Sequence, residues 1–444
     1  MTGVNNLPAG RAGRLRHVLG FLGSLDLIIV LALSPLLLFP RPKAGLALVI
    51  IPFLWLSRFF SSGRFSLATR YDNSVICLLV LLPLALLPVT DWGLALPKLY
   101  GILLGVALVY ALVNSLATLR RAITATYIAV FVLGLGLSAL GLIATALPTD
   151  KFLALGAIRG RLPFLAHGLV HGPTGGAINP DEMGGAVCLV LPFAVAALLA
   201  ASSRRRARLW LVPALFLTTV GLAIVLLLTQ SRSGYAGSAI GVFLVLVWWL
   251  ILAQKSFLRR LFGSSIVLFL AILGVAVAWH AVQRGVGAIP LGARETLLQR
   301  FELWNRGLDM LQDFPFTGVG LAQFQPVMRA LYPLFLSDPS ANLPHVHDFF
   351  LQLALDIGIP GMVNIMFLFF FFFHTIFVSY RRHLDLETRA LALGLGSGVI
   401  AFLTYGLTDA ITLGAIGGMS LWAFLGLAAA LSQPAARANT ADGP

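Results

Sequence analysis

Two histidines separated by one residue and followed directly by a carboxylate form the most reactive short run in the chain, His345-Val346-His347-Asp348. An imidazole near its ordinary pKa accepts a proton at neutral pH, which suits it to activate a sugar hydroxyl. The run by itself leaves open whether His345, His347 or Asp348 is the base. The bland alternative is a helix cap or an interfacial polar tip. Zinc would need a third His or Cys at ligand spacing, and none stands near; His167 and His171 lie in a different loop. No metal is expected here.

Arginine supplies the second chemistry. Arg232 sits in Thr229-Gln230-Ser231-Arg232-Ser233-Gly234, at the end of the apolar run Gly221 to Leu228. A snorkelling arginine at the headgroup level would look similar. The turn is too short to spare charge, however, and a fixed cation flanked by hydroxyls is what binding a lipid phosphate requires. Asn179-Pro180-Asp181-Glu182 reads first as a capped helix start with acids suited to the N-terminus, and second as a carboxylate pair able to do acid–base work. Cys77 and Cys188 fall inside apolar runs and read as small hydrophobes.

The elements that must position these residues are membrane spans. The chain has 444 residues, 59% hydrophobic and only 11% charged, where a soluble domain would carry about 25% charged residues. Spans are expected near 21–39, 44–60, 74–90, 96–116, 122–147, 183–201, 208–229, 234–252, 262–282, 347–379, 386–408 and 411–432. Each is long enough for the roughly 17–25 residues that a bilayer requires. No cleavable targeting segment is expected. The fold class is thus an all-α polytopic membrane protein of about twelve transmembrane helices.

Lys and Arg set the orientation. Alternate connections carry Arg11, Arg14 and Arg16; Arg58, Arg64 and Arg70; Arg120 and Arg121; Arg204, Arg205, Arg206 and Arg208; Lys255, Arg259 and Arg260; Arg381, Arg382 and Arg389; and Arg437. The opposite short turns hold only Arg41, Lys43, Lys98 and Arg232. This parity predicts both termini in the cytoplasm, with residues 1–20 leading in, a single membrane domain over 21–432 and a disordered cytoplasmic tail over 433–444. It also accounts for much of the net charge of +14 without a nucleic-acid partner.

The two long connections, 148–182 and 283–346, fall on the outer side. In the second, Leu297, Phe301, Trp304, Leu308 and Leu311 recur at helical spacing and predict an amphipathic helix of about twenty residues, ended by Pro315 and turned by Gly318-Val319-Gly320. Arg294, Arg300 and Arg306 occupy its other faces, and a short helix from Leu321 to Tyr332 follows, carrying Arg329. Such helices lie in the interface with the apolar side down. Arg294 and Arg329 read as solvated or lipid-facing charges.

Four segments, in order, resemble the O-antigen ligase and polymerase superfamily. His347-Asp348, nine residues, Gly358, two residues and Gly361 is similar to that family's His-Asn or His-Ser signature. Asn179-Pro180 resembles its Asn-Pro-Asn segment, and Ser231-Arg232-Ser233-Gly234 its Ser-Arg-Gly turn. Arg300 to Trp304 through Asp313, Pro315, Gly318 and Gly320 resembles its Arg-x-x-x-Trp…Asp-x-Pro-x-x-Gly-x-Gly stretch. The resemblance covers about 175–365. Asp348 replaces the usual Asn or Ser, and Asp181 and Glu182 follow where Asn and an apolar residue are usual.

The resemblance implies a GT-C-like glycosyltransferase architecture in the bacterial inner membrane, with a helical periplasmic loop between helices nine and ten. It implies inverting, metal-independent transfer of a glycan from undecaprenyl diphosphate to an acceptor sugar hydroxyl on the periplasmic face, with no cofactor. In a ligase the acceptor is lipid A–core; in a polymerase or a protein O-oligosaccharyltransferase it is another glycan or a protein. His347 would take the acceptor proton, oriented by Asp348 or His345, and Arg232 and Arg300 would stabilise the departing diphosphate. Arg306, Arg159, Arg41 and Lys43 would contact phosphate or acceptor, beside Asp348 and His345. A small-anion transporter is a reading from another class. It would place ionisable groups near mid-membrane, where only Asp26, Asp356 and His374 stand.

Overall fold

The computed structural model describes residues 20, 25–38, 44–148, 177–203, 210–252, 256–266, 268, 291–336 and 343–433. Arg41, Lys43, Arg159, His167, His171, most of the expected ninth span, most of the first long loop and nearly all of the C-terminal tail lie outside the described residues.

Among the described residues the chain is helical and contains no strand. The helices are α1 (Asp26–Leu38), α2 (Ile50–Ser62, led by a 3-10 turn, Ala44–Val49), α3 (Asp72–Leu86), α4 (Trp92–Ser115), α5 (Leu119–Ile143), α6 (Pro180–Ser202), α7 (Leu211–Thr229) and α8 (Arg232–Val247, continued by a π turn, Trp248–Leu252). They continue with α9 (Leu291–Asp313), α10 (Phe324–Leu331), α11 (Phe349–Arg382), α12 (Leu386–Gly406) and α13 (Met419–Ser432). Among the described residues, eight helical stretches are long and apolar enough to cross a bilayer, and α1, α3 and α13 are shorter apolar helices. The chain is an all-α polytopic membrane protein.

Helix α6 is the hub. Its start follows from local chemistry: Asn179 accepts the N–H of Asp181 at 2.8 Å and Pro180 occupies the first turn. Its Ala- and Gly-rich stretch from Met183 to Ala197 is almost wholly buried against α12, α8, α7 and α5. Small residues permit the close crossings that membrane helices rely on. A Cβ on Gly237 would lie 2.4 Å from the carbonyl oxygen of Ala401, and one on Gly398 would lie 2.3 Å from that of Leu189. Around this hub α4 packs on α1 and α13, and α11 packs on α3, α12 and α13.

One end of the bundle gathers basic residues. Arg58 at the end of α2 bonds Asp26 at 2.7 Å, beside Asn114 near the end of α4. Arg381 and Arg382 close α11, whose other end carries His347. Lys98 corrects the sequence reading: it is not in a turn but on the second turn of α4, largely buried and paired with Asp356 of α11.

The second long connection forms the predicted amphipathic helix as α9. It packs on α11 through Leu303, Gly307 and Met310, where Val346 and Leu355 meet it. That buried face is offset from the expected stripe, since Phe301 and Leu308 remain exposed. The predicted second helix is the shorter α10.

Helix α11 is broken at Ile357 and Gly358, where Gly358 takes a left-handed φ of 73°. The break frees main-chain groups that cannot stay unpaired inside a membrane protein. The turn after α9 satisfies them: Val319 N–H donates to Leu355 O at 2.8 Å, and Ile359 N–H donates to Pro315 O at 2.8 Å. Pro315 to Gly320 and Gly358 to Gly361, separate in sequence, are thus two sides of one main-chain clamp.

Candidate active site

Four chain segments meet at the His347 end of the bundle. Asp348 caps α11 by accepting the N–H of Leu351 at 2.7 Å. Burial pushes its carboxyl above the usual range, partly offset by the main-chain N–H groups of Leu351 and Phe350. Asp348 or His345 is expected to orient His347, and His345 does pack against its ring, but the nearest carboxylate partner of that ring is a third residue. It is Asp409, in the turn after α12: His347 Nδ1 lies 3.2 Å from Asp409 Oδ1.

Asp409 is buried, and that burial pushes its pKa up. The hydrogen bond and charge of His347, the charge of His345 and the N–H of Ala410 at 2.9 Å outweigh it and hold the carboxyl below its ordinary value. A carboxylate only accepts, so His347 Nδ1 carries the proton in the neutral imidazole and Nε2 is left as the basic nitrogen. Arg300 from α9 places a guanidinium nitrogen 3.9 Å from the other Asp409 oxygen. Trp304, one turn on, donates its indole N–H to the carbonyl of His347 at 3.4 Å. His347 itself adopts a left-handed φ of 55°, a conformation that persists in a non-glycine residue only when its surroundings over-determine it.

His345 packs edge-on against His347, with ring centroids 4.4 Å apart, and its Nδ1 accepts the main-chain N–H of His347 at 3.4 Å. Burial first, then the charges of His347, Lys98 and Arg300, lower its pKa to about 4 against the pull of Asp409. Its folded-state pKa thus lies below the ordinary value of 6.5. As pH falls from 6.5 towards 4, the unfolded chain takes up a proton that the folded chain refuses, so stability falls by up to about 1.4 kcal/mol per pH unit from this group. Asn at 345 keeps an acceptor near Nδ1 without the titration. The thermal midpoint of the solubilised His345→Asn protein is expected to drop less than wild type between pH 7 and pH 5.

Arg232 is the first residue of α8, with Ser231 as its cap and its side chain exposed. The neighbouring Ser233 Oγ lies 2.8 Å from Thr408 Oγ1, next to Asp409, so the start of α8 abuts the same turn. Gly184 lets α6 approach closely, since a Cβ there would fall 2.6 Å from that of Ser231. Glu182 lies close enough to Asp409 for the two carboxylates to repel. Arg306 is elsewhere on α9: it pairs with Asp309 at 3.1 Å and lies 5.4 Å from the ring centre of Phe335. Six residues beyond Arg300, it is turned roughly 120° round the helix.

The structure thus brings together His347, His345, Arg300 and the main chain at Arg232, and adds Asp409, which is not among the residues singled out from the sequence. Its only sequence signal is a carboxylate in a C-terminal region otherwise almost free of charge. The ligating atoms of His345, His347 and Asp409 all lie within 4.8 Å of one another, so Asp409 also supplies the third donor that spacing alone lacked. Arg300 beside that carboxylate already brings positive charge to the group. Asp356 is held by Lys98, Gln352 and the N–H of Ala322, so its charge is already countered within the protein.

No curated protein matches the chain. Residues 214–366 match the sequence model of a family described as O-antigen ligase. The match runs from α7 through the turn at Arg232, all of α9 and α10, and the break in α11. Over these residues the chain, with its membrane-spanning helices, is similar to the O-antigen ligase family.

Proposed function

We propose that this protein is an inverting, metal-independent glycosyltransferase of the bacterial inner membrane, moving a glycan from undecaprenyl diphosphate to a sugar hydroxyl of lipid A–core on the periplasmic face. The observation that carries the reading is the His347–Asp409 pair with Arg300 on the second carboxylate oxygen. Asp409 fixes the imidazole so that Nε2 takes the hydroxyl proton as the acceptor oxygen attacks the anomeric carbon. The bond from that carbon to the diphosphate breaks, and undecaprenyl diphosphate leaves with the electron pair. Arg300 and Arg232 supply fixed positive charge for that departure, which requires no proton. The polyprenyl chain is apolar and suits the lipid-facing surface of the bundle.

Arg300→Ala is expected to lower kcat about a hundredfold at normal protein level in membranes, with Arg300→Lys intermediate because it keeps charge without the planar fork. Activity unchanged by EDTA is expected in the same assay; loss on chelation, restored by a divalent cation, would replace the metal-free reading with metal use at His345, His347 and Asp409. Cells lacking the protein should accumulate full-length glycan on undecaprenyl diphosphate. Accumulation of single repeat units instead would make the protein a polymerase.

A further inference from the structure

Beneath the two histidines runs a buried polar chain with no part in the proton transfer itself. Val346, between the rings, donates its main-chain N–H to Gln352 Oε1 at 3.0 Å. Gln352 Nε2 donates to Asp356 Oδ1 at 3.0 Å. The same oxygen accepts the N–H of Ala322 at 3.2 Å, and Asp356 Oδ2 pairs with Lys98 of α4. Gln352 and Asp356 are almost completely buried. Ala322 and His347 hold left-handed φ values of 60° and 55°. Each therefore sits in a strained turn next to a hydrogen bond of this chain. Gln323, also buried, ties the Ala322 turn to the α3–α4 connection by accepting the N–H of Asp91 at 2.9 Å and donating to its carbonyl at 3.0 Å.

We propose that Lys98, Asp356 and Gln352 form a positioning strut that fixes the main chain at Val346 and, through it, the two histidine rings. The inference rests on the reading of His347 as the base. Its logic is directional. A carboxylate offers only acceptors, so it forces the Gln352 amide to present NH₂ downward and its carbonyl upward to Val346. Lys98 supplies the counter-charge that a buried carboxylate needs. Without this partner the Asp356 carboxylate is no longer fixed in place and stops holding the Gln352 amide in one orientation. Gln352 then turns over, and the Val346 N–H faces an NH₂ group instead of an acceptor. A one-atom change on α4 is thereby read out at the imidazoles.

The test uses the full-length protein in membranes, with undecaprenyl-diphosphate-linked glycan as donor and lipid A–core as acceptor, and the variants Gln352→Met, Lys98→Met and Lys98→Arg. Gln352→Met and Lys98→Met should lower kcat by about tenfold to a hundredfold, with donor KM nearly unchanged and the acid limb of the kcat profile displaced. Lys98→Arg should retain most of the activity. A merely structural ion pair would instead lower the yield of folded protein and leave kcat per molecule and its pH profile as in wild type; that result overturns the proposal. Carbethoxylation of His345, followed by mass spectrometry, is independent of transfer. Its rate should rise in Gln352→Met, because the buried ring loses its anchor, and equal rates in both proteins overturn the strut. If His347→Ala keeps full transfer, the base assignment fails by itself, and the carbethoxylation rates alone decide on the strut.

Discussion

Replacing His347 by alanine is expected to lower glycan transfer by about 10²–10⁴-fold, the range that a positioned general base contributes. Asp409→Asn should fall in the same range although it removes no mass from the site. The reason is the tautomer. The Asp409 carboxylate accepts from His347 Nδ1 at 3.2 Å and is itself held by the N–H of Ala410 at 2.9 Å. An asparagine can offer its NH₂ to Nδ1, which places the ring proton on Nε2 and leaves that atom unable to accept one. The measurement is single-turnover transfer to lipid A–core with donor in excess, normalised to the amount of protein in the membrane. Asp348→Asn is the informative contrast: the residue caps α11, and asparagine caps as well as aspartate does, so transfer should stay near wild type. A wild-type rate in His347→Ala would remove histidine from the chemistry.

Gly358→Ala is expected to abolish the accumulation of folded protein. A Cβ at this position would lie 2.0 Å from the carbonyl oxygen of Phe316 and 2.4 Å from its carbon, and the φ of 73° is itself unfavourable for an L side chain. The neighbour is main chain held by its own hydrogen bonds on both sides, so it cannot yield as a flexible side chain would. Gly318→Ala should behave alike, because its Cβ would lie 2.2 Å from the oxygen of Leu355. A cost of several kcal/mol is comparable to the whole stability of many folds. Gly136→Ala is the control: nothing lies within 4 Å of the added carbon, and helix propensity favours the change. Monodisperse yield after detergent extraction distinguishes the three variants. Equal yields would show that the clamp between α11 and the turn after α9 does not hold the fold together.

What the sequence determined is what depends on near neighbours. Spans are local, since an apolar run of sufficient length is sorted into the bilayer whatever it packs against, and most described helices lie close to the expected runs, while α13 starts at Met419 where the run is expected from 411. Caps are equally local, as at Asn179 and Pro180. The amphipathic period of α9 revealed the helix but not which face is buried, because Leu303 and Met310 are selected by contact with α11 and not by periodicity. His347 and Arg300 were legible as reactive types. Their relation was not. Asp409 lies 62 residues from His347 in sequence, and Lys98 lies 258 residues from Asp356. No spacing rule reaches across such distances. Only the packing of α12 beside α11, and the reach of Lys98 from α4 to Asp356 next to the break in α11, set these groups against one another. The tertiary structure decided this because burying a charge is costly unless its partner is already in place, and that partner is set by the fold.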